Sequence, residues 1–238
     1  MEPLRGIRII EVTTNASGPL ATGILADQGA DVIRLETIGA GDPARHVGGS
    51  RAGVGAYHAQ MNRNKRSMSV DLKNPLLREP LLRLIRTADV FVQNSRPCAL
   101  DRSGFGFEDL HKVHPALIYV SISGFGATGP AAHQRVYDPV IQAVSGFAAA
   151  QGAGGDPQLV RTIASDKVAA LTASQAATIQ RTTAWMPISV PSPMLRCHFG
   201  APVPQSRTTS CGALEPRIQQ APSAVARVTL AEEPSGSG

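Results

Sequence analysis

The chain has 238 residues, of which 42% are hydrophobic and 17% charged, and a formal net charge of +5. That length suffices for one large domain or two small ones around a sizeable core, and no apolar run approaches the roughly 18 to 20 residues that span a bilayer. The positive surplus is mild and scattered, densest at Arg63, Lys65 and Arg66 with few aromatics nearby. Such a pattern argues against a nucleic-acid surface and suits a phosphate-bearing small molecule.

The segment Ile7-Arg-Ile-Ile-Glu-Val12 is expected to be a strand. Ala16 to Gln28 follows as a helix, with Leu20, Ile24 and Leu25 on one face and Gly29 as the stop. Asp31-Val-Ile-Arg-Leu-Glu36 is the next strand, completing a βαβ unit with a right-handed crossover. Ser67 to Asp71 is a third strand. Pro75 to Thr87 reads as a helix with Leu77, Leu81, Leu84 and Ile85 inward, kinked at Pro80 or starting only there. Asp89 to Gln93 is a fourth strand, Phe107 to Lys112 a short helix and Ala116 to Ile122 a fifth strand. Alternating helices and apolar strands predict an α/β fold: an incomplete Rossmann-like parallel sheet with helices on both faces.

Residues 181–238 break this pattern. They hold 8 of the 18 prolines and neither Lys nor Asp, and no helical or strand period survives beyond a few residues. The expected organisation is therefore an α/β part over residues 1–180 and an aperiodic, Pro-rich, disordered tail over 181–238. The abrupt change after Gln180, in mid-helix, is read as a frame change or truncation. Cys98, Cys197 and Cys211 share no metal-ligand spacing, and no metal site is expected. No apolar signal segment stands at Met1 to Gly6, so the expected compartment is the cytoplasm.

In doubly wound sheets, ligands bind beyond the carboxyl ends of the strands. There lie Asn15, Arg34, Asn94-Ser-Arg-Pro97 and Ser123-Gly-Phe-Gly-Ala-Thr-Gly-Pro130, whose Gly124, Gly126 and Gly129 allow close backbone approach to a ligand. Asp166 follows the β-branched run Val160 to Ile163 and opens an Ala-rich helix. It reads either as an N-cap or as a carboxylate that the helix terminus keeps ionised and nucleophilic.

Several blocks occur in a specific order: Leu4 to Val12, Ala26 to Glu36, Asn62 to Lys73, Ala88 to Pro97, Ile122 to Gly126, Tyr137 to Gly146 and the Asp166 helix. From about residue 3 to 180 they resemble the N-terminal half of the family III CoA-transferases. By that resemblance Asp166 is the catalytic aspartate of a CoA-transferase. It attacks an acyl-CoA thioester, and CoA then passes to a carboxylic acid through anhydride and aspartyl-thioester intermediates. The resemblance also implies that Arg34, Leu72, Lys73, Asn94 and Arg102 contact CoA. Arg34 and Arg102 would fork onto phosphates, Lys73 would act as a point charge, and Gly124 and Gly126 would flank the thioester. CoA and acyl-CoA enter as substrates, with no permanently bound cofactor, and the partners are an acyl-CoA and a carboxylic acid. Family members form interlocked homodimers. A related α-methylacyl-CoA racemase activity needs a second acid/base, and Tyr137 of Val136-Tyr-Asp138 is poorly matched to it near neutral pH. His133 is the other candidate for that role. The family's later half, which completes the fold and covers the site, has no counterpart in residues 181–238. A partial sheet with exposed apolar faces is therefore expected.

Overall fold

The computed structural model of the chain describes residues 2–39, 41–179 and 188–191. In chain order the elements are β1 (Arg8–Val12), α1 (Ser17–Asp27), β2 (Asp31–Glu36), β3 (Ser50–Arg51), β4 (Val54–Gly55), α2 (Ala56–Met61) and β5 (Arg66–Ser69). They continue with α3 (Pro75–Ile85), β6 (Val90–Gln93), α4 (Phe107–Val113), β7 (Ile118–Ser123), α5 (Asp138–Val144), α6 (Phe147–Gln151), α7 (Ala164–Ile179) and β8 (Ile188–Pro191). Single 3-10 turns lie at Pro43–His46 and Asp101–Ser103.

Six strands form one sheet in the order β5-β2-β1-β6-β7-β8, every pairing parallel. Set apart from the small β3–β4 hairpin, this is the Rossmann order, with its switch point between β1 and β6. The apolar strands bury alternate residues on opposite faces. Ile9, Val32, Val90, Val92 and Val120 pack with Ala21, Leu25 and Ala26 of α1 and Ala169, Ala170, Ala173 and Ala177 of α7. Ile10, Ile33, Phe91 and Tyr119 pack on the other face with Leu81, Leu82 and Ile85 of α3 and Leu110 of α4. The expected parallel sheet, covered on both faces, is thus present.

Three local readings change. The buried face of α1 is built of small residues, and Leu20 and Ile24 are only partly buried. The helix packs on the sheet alongside Ala-rich α7 and against α2, so close approach selects Ala21, Gly23 and Ala26 rather than a leucine stripe. Gly23 faces the Met61 carbonyl, which a Cβ there would approach to 2.8 Å. Pro80 sits inside α3, which nonetheless runs from Pro75 to Ile85. Pro80 is the sixth helix residue, so its missing N–H removes a bond only to the second, Leu76, on the exposed side. Finally, Ile188–Pro191 forms a strand in register with β7, Val120 opposite Ile188. Four residues are too short for a period to reveal. The rest of the tail reading falls outside the described residues.

Candidate active site

The carboxyl end of the sheet carries two polar centres with Asn94 between them. Its amide accepts from the Thr14 N–H at 2.9 Å and donates to the Thr14 carbonyl at 2.8 Å, joining the ends of β1 and β6 at the switch point. Asn94 and Thr14 therefore line a small cavity of about 160 Å³ on the β2 side and an open cleft of about 660 Å³ on the β7 side.

The β2 side is dominated by Arg34, 1% exposed although it lies on a sheet strand. Its guanidinium donates to Glu11 at 2.8 Å, to Asn62 at 2.5 Å and to Asp42, and lies 3.2 Å from Glu36. Glu11 also accepts from Thr22 at 2.7 Å and from Thr13, and pairs with Lys65 at 2.8 Å. Glu36 in turn holds Arg45 at 2.7 Å. Three cations thus face three carboxylates. Burial alone would push the Glu11 carboxyl up, but the Lys65 and Arg34 charges outweigh it and hold it below its ordinary range. Glu36 sits at about 2, because its bonds to Arg45 and the charge of Arg34 overcome the same burial. Burial brings the Lys65 ammonium down to about 8 against the pull of Glu11. Arg34, expected to fork onto a phosphate, has its fork occupied by the Glu11 and Asp42 carboxylates in this structure. Sequence displays the charge but not partners 8 and 23 residues away.

Leu72 lines the small cavity with Arg34 and Asn94. Lys73 is exposed, lines neither space, and donates its backbone N–H to Asp71 at 2.9 Å. Arg102 is exposed at the cleft, joined there by two cations that the resemblance did not single out, Arg96 and Arg135. Gly124 lines the cleft, and a Cβ there would come within 1.9 Å of Val136 Cγ2. Gly126 has φ +85° and open space around it, so backbone conformation selects it, and it is not part of the cleft wall.

The cleft floor holds Asp166, half-buried in the first turn of α7, with Ser17 of α1 and Asp138 of α5. Asp166 does not cap its helix. Asp138, 5% exposed, accepts the Asp166 backbone N–H at 3.1 Å and so fills the capping role from another element. Gln142 holds Asp138 in place at 2.5 Å, donates to the Thr162 carbonyl at 3.1 Å and accepts from Val160 N–H at 2.9 Å. This clamp fixes the turn that leads into α7. Burial and the neighbouring Asp138 charge raise the Asp166 carboxyl to about 6, against a hydrogen bond from Ser17. Tyr57 of α2 feels the same negative field: burial first, then Asp166, Asp42 and Asp138, push its phenol up. Tyr137 stands at the cleft rim, 72% exposed, while His133 is exposed and absent from the lining. A carboxylate poised near neutrality above a helix terminus, in a cleft edged by three arginines, suits nucleophilic chemistry on an anionic substrate.

The sequence matches the family model of CoA-transferase family III over residues 4–182. The chain belongs to this family. It is similar to the acetyl-CoA:oxalate CoA-transferase of Acetobacter aceti, 43% identical over 150 residues, covering 63% of this chain and 39% of that protein. It is also similar to the mouse succinyl-CoA:glutarate CoA-transferase, 42% identical over 159 residues, covering 66% and 36%. Among solved structures, Rv3272 of Mycobacterium tuberculosis superposes with a TM-score of 0.72 at 32% identity, covering 81% of this chain and 55% of that one. A CAIB/BAIF family protein of Brucella suis gives 0.71 at 35%, covering 76% and 50%. The chain thus spans little more than a third of the curated family III relatives it matches. The family III match takes in every residue that lines the cleft. Among the described residues, no group of His, Cys, Asp or Glu could hold a metal ion, and no helix is long and apolar enough to cross a membrane.

Proposed function

We propose that the cleft carries family III CoA-transferase chemistry with Asp166 as the nucleophile. The observation that carries this reading is the position of Asp166: a half-buried carboxylate at a helix N-terminus, facing the cleft at the topological switch point. The Asp166 carboxylate attacks the thioester carbonyl of an acyl-CoA. The C–S bond breaks, CoA leaves as thiolate, and a mixed anhydride remains. The thiolate attacks the aspartyl carbonyl, releasing the donor acid as carboxylate and leaving an aspartyl-CoA thioester. The acceptor carboxylate displaces CoA to form a second anhydride, and the returning thiolate attacks the acceptor's carbonyl, regenerating Asp166. Splitting one exchange into these steps is the gain of covalent catalysis.

Arg96, Arg102 and Arg135 supply positive charge for the phosphates of CoA. Asn94 shares that cleft wall, while Leu72 lines the small cavity on the other side of Asn94 and Lys73 is exposed next to it in the chain. The named relatives act on oxalate and glutarate, which makes short dicarboxylates the first acceptors to try. The test is thioester exchange between acetyl-CoA or succinyl-CoA and oxalate or glutarate. Asp166→Ala is expected to lower the rate by at least about a thousandfold, and hydroxylamine is expected to trap the aspartyl thioester. Exchange that survives Asp166→Ala would overturn the proposal. Deuterium entry at the α-carbon of an acyl-CoA without CoA transfer would replace it with racemase chemistry.

A further inference from the structure

The helix that carries Asp166 is not launched from a strand. The run Val160 to Ile163 that leads into α7 lies in none of the described strands, so its backbone groups take their partners from elsewhere. One side chain supplies two of them. Gln142 of α5 accepts the Val160 N–H at 2.9 Å through its amide oxygen, and its amide nitrogen donates to the Thr162 carbonyl at 3.1 Å. The same nitrogen donates to Asp138 Oδ2 at 2.5 Å, one turn earlier on α5. Asp138 Oδ1 then accepts the Asp166 N–H at 3.1 Å.

Both amide hydrogens and the amide oxygen of Gln142 are thereby engaged. These partners leave the amide one orientation. Turned over, it would set its NH2 against the Val160 N–H and its oxygen against two other oxygens. Gln142 is 1% exposed and does not line the cleft, whereas Asp138, Ile141 and Asp166 do. It borders no space that a substrate fills, so its influence on the reaction passes through the residues it holds. A fully paired buried network of this kind is rigid.

We propose that Gln142 is a positioning residue for the reaction: through Asp138 and the backbone of Val160 and Thr162 it fixes the first turn of α7, and so sets the reach of the Asp166 carboxylate into the cleft. The proposal rests on the reading of Asp166 as the nucleophile. A helix start without a fixed entry can slide along its axis or rotate about it. Misplacing a reacting atom by about 1 Å can cost about a hundredfold in rate.

The experiment compares the full chain with Gln142→Met, which keeps the length of the side chain without its amide, and with Gln142→Asn, which keeps the amide but shortens its reach. Formation of the hydroxylamine-trappable adduct from saturating acetyl-CoA or succinyl-CoA is measured at pH 8.5, where the Asp166 carboxyl, raised to about 6, is ionised throughout. Rates are counted per CoA-binding site by calorimetric titration with CoA, so that misfolded protein drops out. Exchange of the Val160 and Asp166 amide hydrogens is followed by NMR without substrate. In Gln142→Met the rate at saturation is expected to fall about a hundredfold while CoA affinity stays within about twofold. Both amide hydrogens should exchange at least about tenfold faster, beyond any change at Val92 in β6. Gln142→Asn should lie between the two. A rate per site equal to that of the unaltered chain, a deficit confined to CoA affinity, or unchanged exchange at Asp166 would each overturn the proposal. Absence of adduct from the unaltered chain would instead overturn the nucleophile reading, while exchange at Asp166 would still decide whether Gln142 holds the turn. Should Gln142→Met fail to fold, Gln142→Asn decides on the same two readouts.

Discussion

The two polar centres on either side of Asn94 use the same residue types and reach opposite electrostatic states. Around Arg34, three carboxylates are matched by three cations, all buried except Arg45, and Glu11 and Glu36 are held below their ordinary range. Around Asp166, two carboxylates lie close together, the arginines stay at the exposed rim, and Asp166 rises to about 6. Complete pairing produces an inert scaffold, whereas an unmatched carboxylate pair retains the free energy that a nucleophile can use. The scaffold is not separate from the chemistry, because Asp42 belongs to it and also holds the Asn15 turn beside the cleft.

The strongest way to break this contrast is to remove one member of the paired cluster. Asp42→Ala takes the acceptor from Arg34, Asn15 N–H and Ala44 N–H together and leaves a buried cation under-neutralised. Breaking such a buried set costs about 3–5 kcal/mol, read as a lower midpoint in urea unfolding. The cluster also sets acid sensitivity. Glu36 has a folded pKa depressed from 4.5 to about 2, so its contribution is present above pH 4.5 and lost as pH falls through 2. Unfolding curves that keep their midpoint from pH 5 to pH 2 would contradict that assignment.

The opposite sign is expected in the cleft. The Asp166 carboxyl is raised from 3.8 to about 6. Its favourable contribution is therefore full below 3.8 and lost as pH rises through 6. Asp166→Asn removes a charge that the folded state tolerates poorly. The variant is expected to be more stable than the unaltered chain by about 1–2 kcal/mol at pH 7.5, after allowance for solvent screening, with the difference vanishing near pH 4. On the proposed nucleophile role of Asp166, loss of CoA transfer should accompany that gain. A destabilised Asp166→Asn would show that the carboxylate serves the fold.

The sheet was largely legible in the sequence. Apolar strands separated by helical periods predict their own pairing, and β2 occupies the expected residues Asp31–Glu36. The resemblance also led to Asp166, Asn94, Arg102 and Gly124, which meet at one cleft. What stayed hidden depends on partners remote in the chain. Arg34 looked like a strand-end charge because Glu11 and Asp42 approach it only after folding. Asp166 looked like a cap because Asp138, 28 residues earlier, takes that role only once α5 packs beside α7. The burial of α1 by alanines and glycines was obscured by its leucines, since a hydrophobic stripe carries no record of how closely a neighbouring helix approaches.

The smallest expected effect sharpens the comparison from outside both centres. Arg66 on β5 holds Asp31 in a fork, Nε to one carboxylate oxygen at 2.9 Å and Nη2 to the other at 2.7 Å, geometry as good as any that Arg34 makes. Its side chain is 63% exposed, against 1% for Arg34. Water solvates both ions when such a pair opens, and counterions screen it when closed, so Arg66→Ala is expected to cost less than about 0.5 kcal/mol in urea unfolding. The cost should shrink further in 1 M salt. A loss comparable to that of Asp42→Ala would mean that fork geometry, and not dehydration, sets the strength of these arginine contacts. The account of the Arg34 cluster as a scaffold made rigid by burial would then have to be rebuilt on geometry alone.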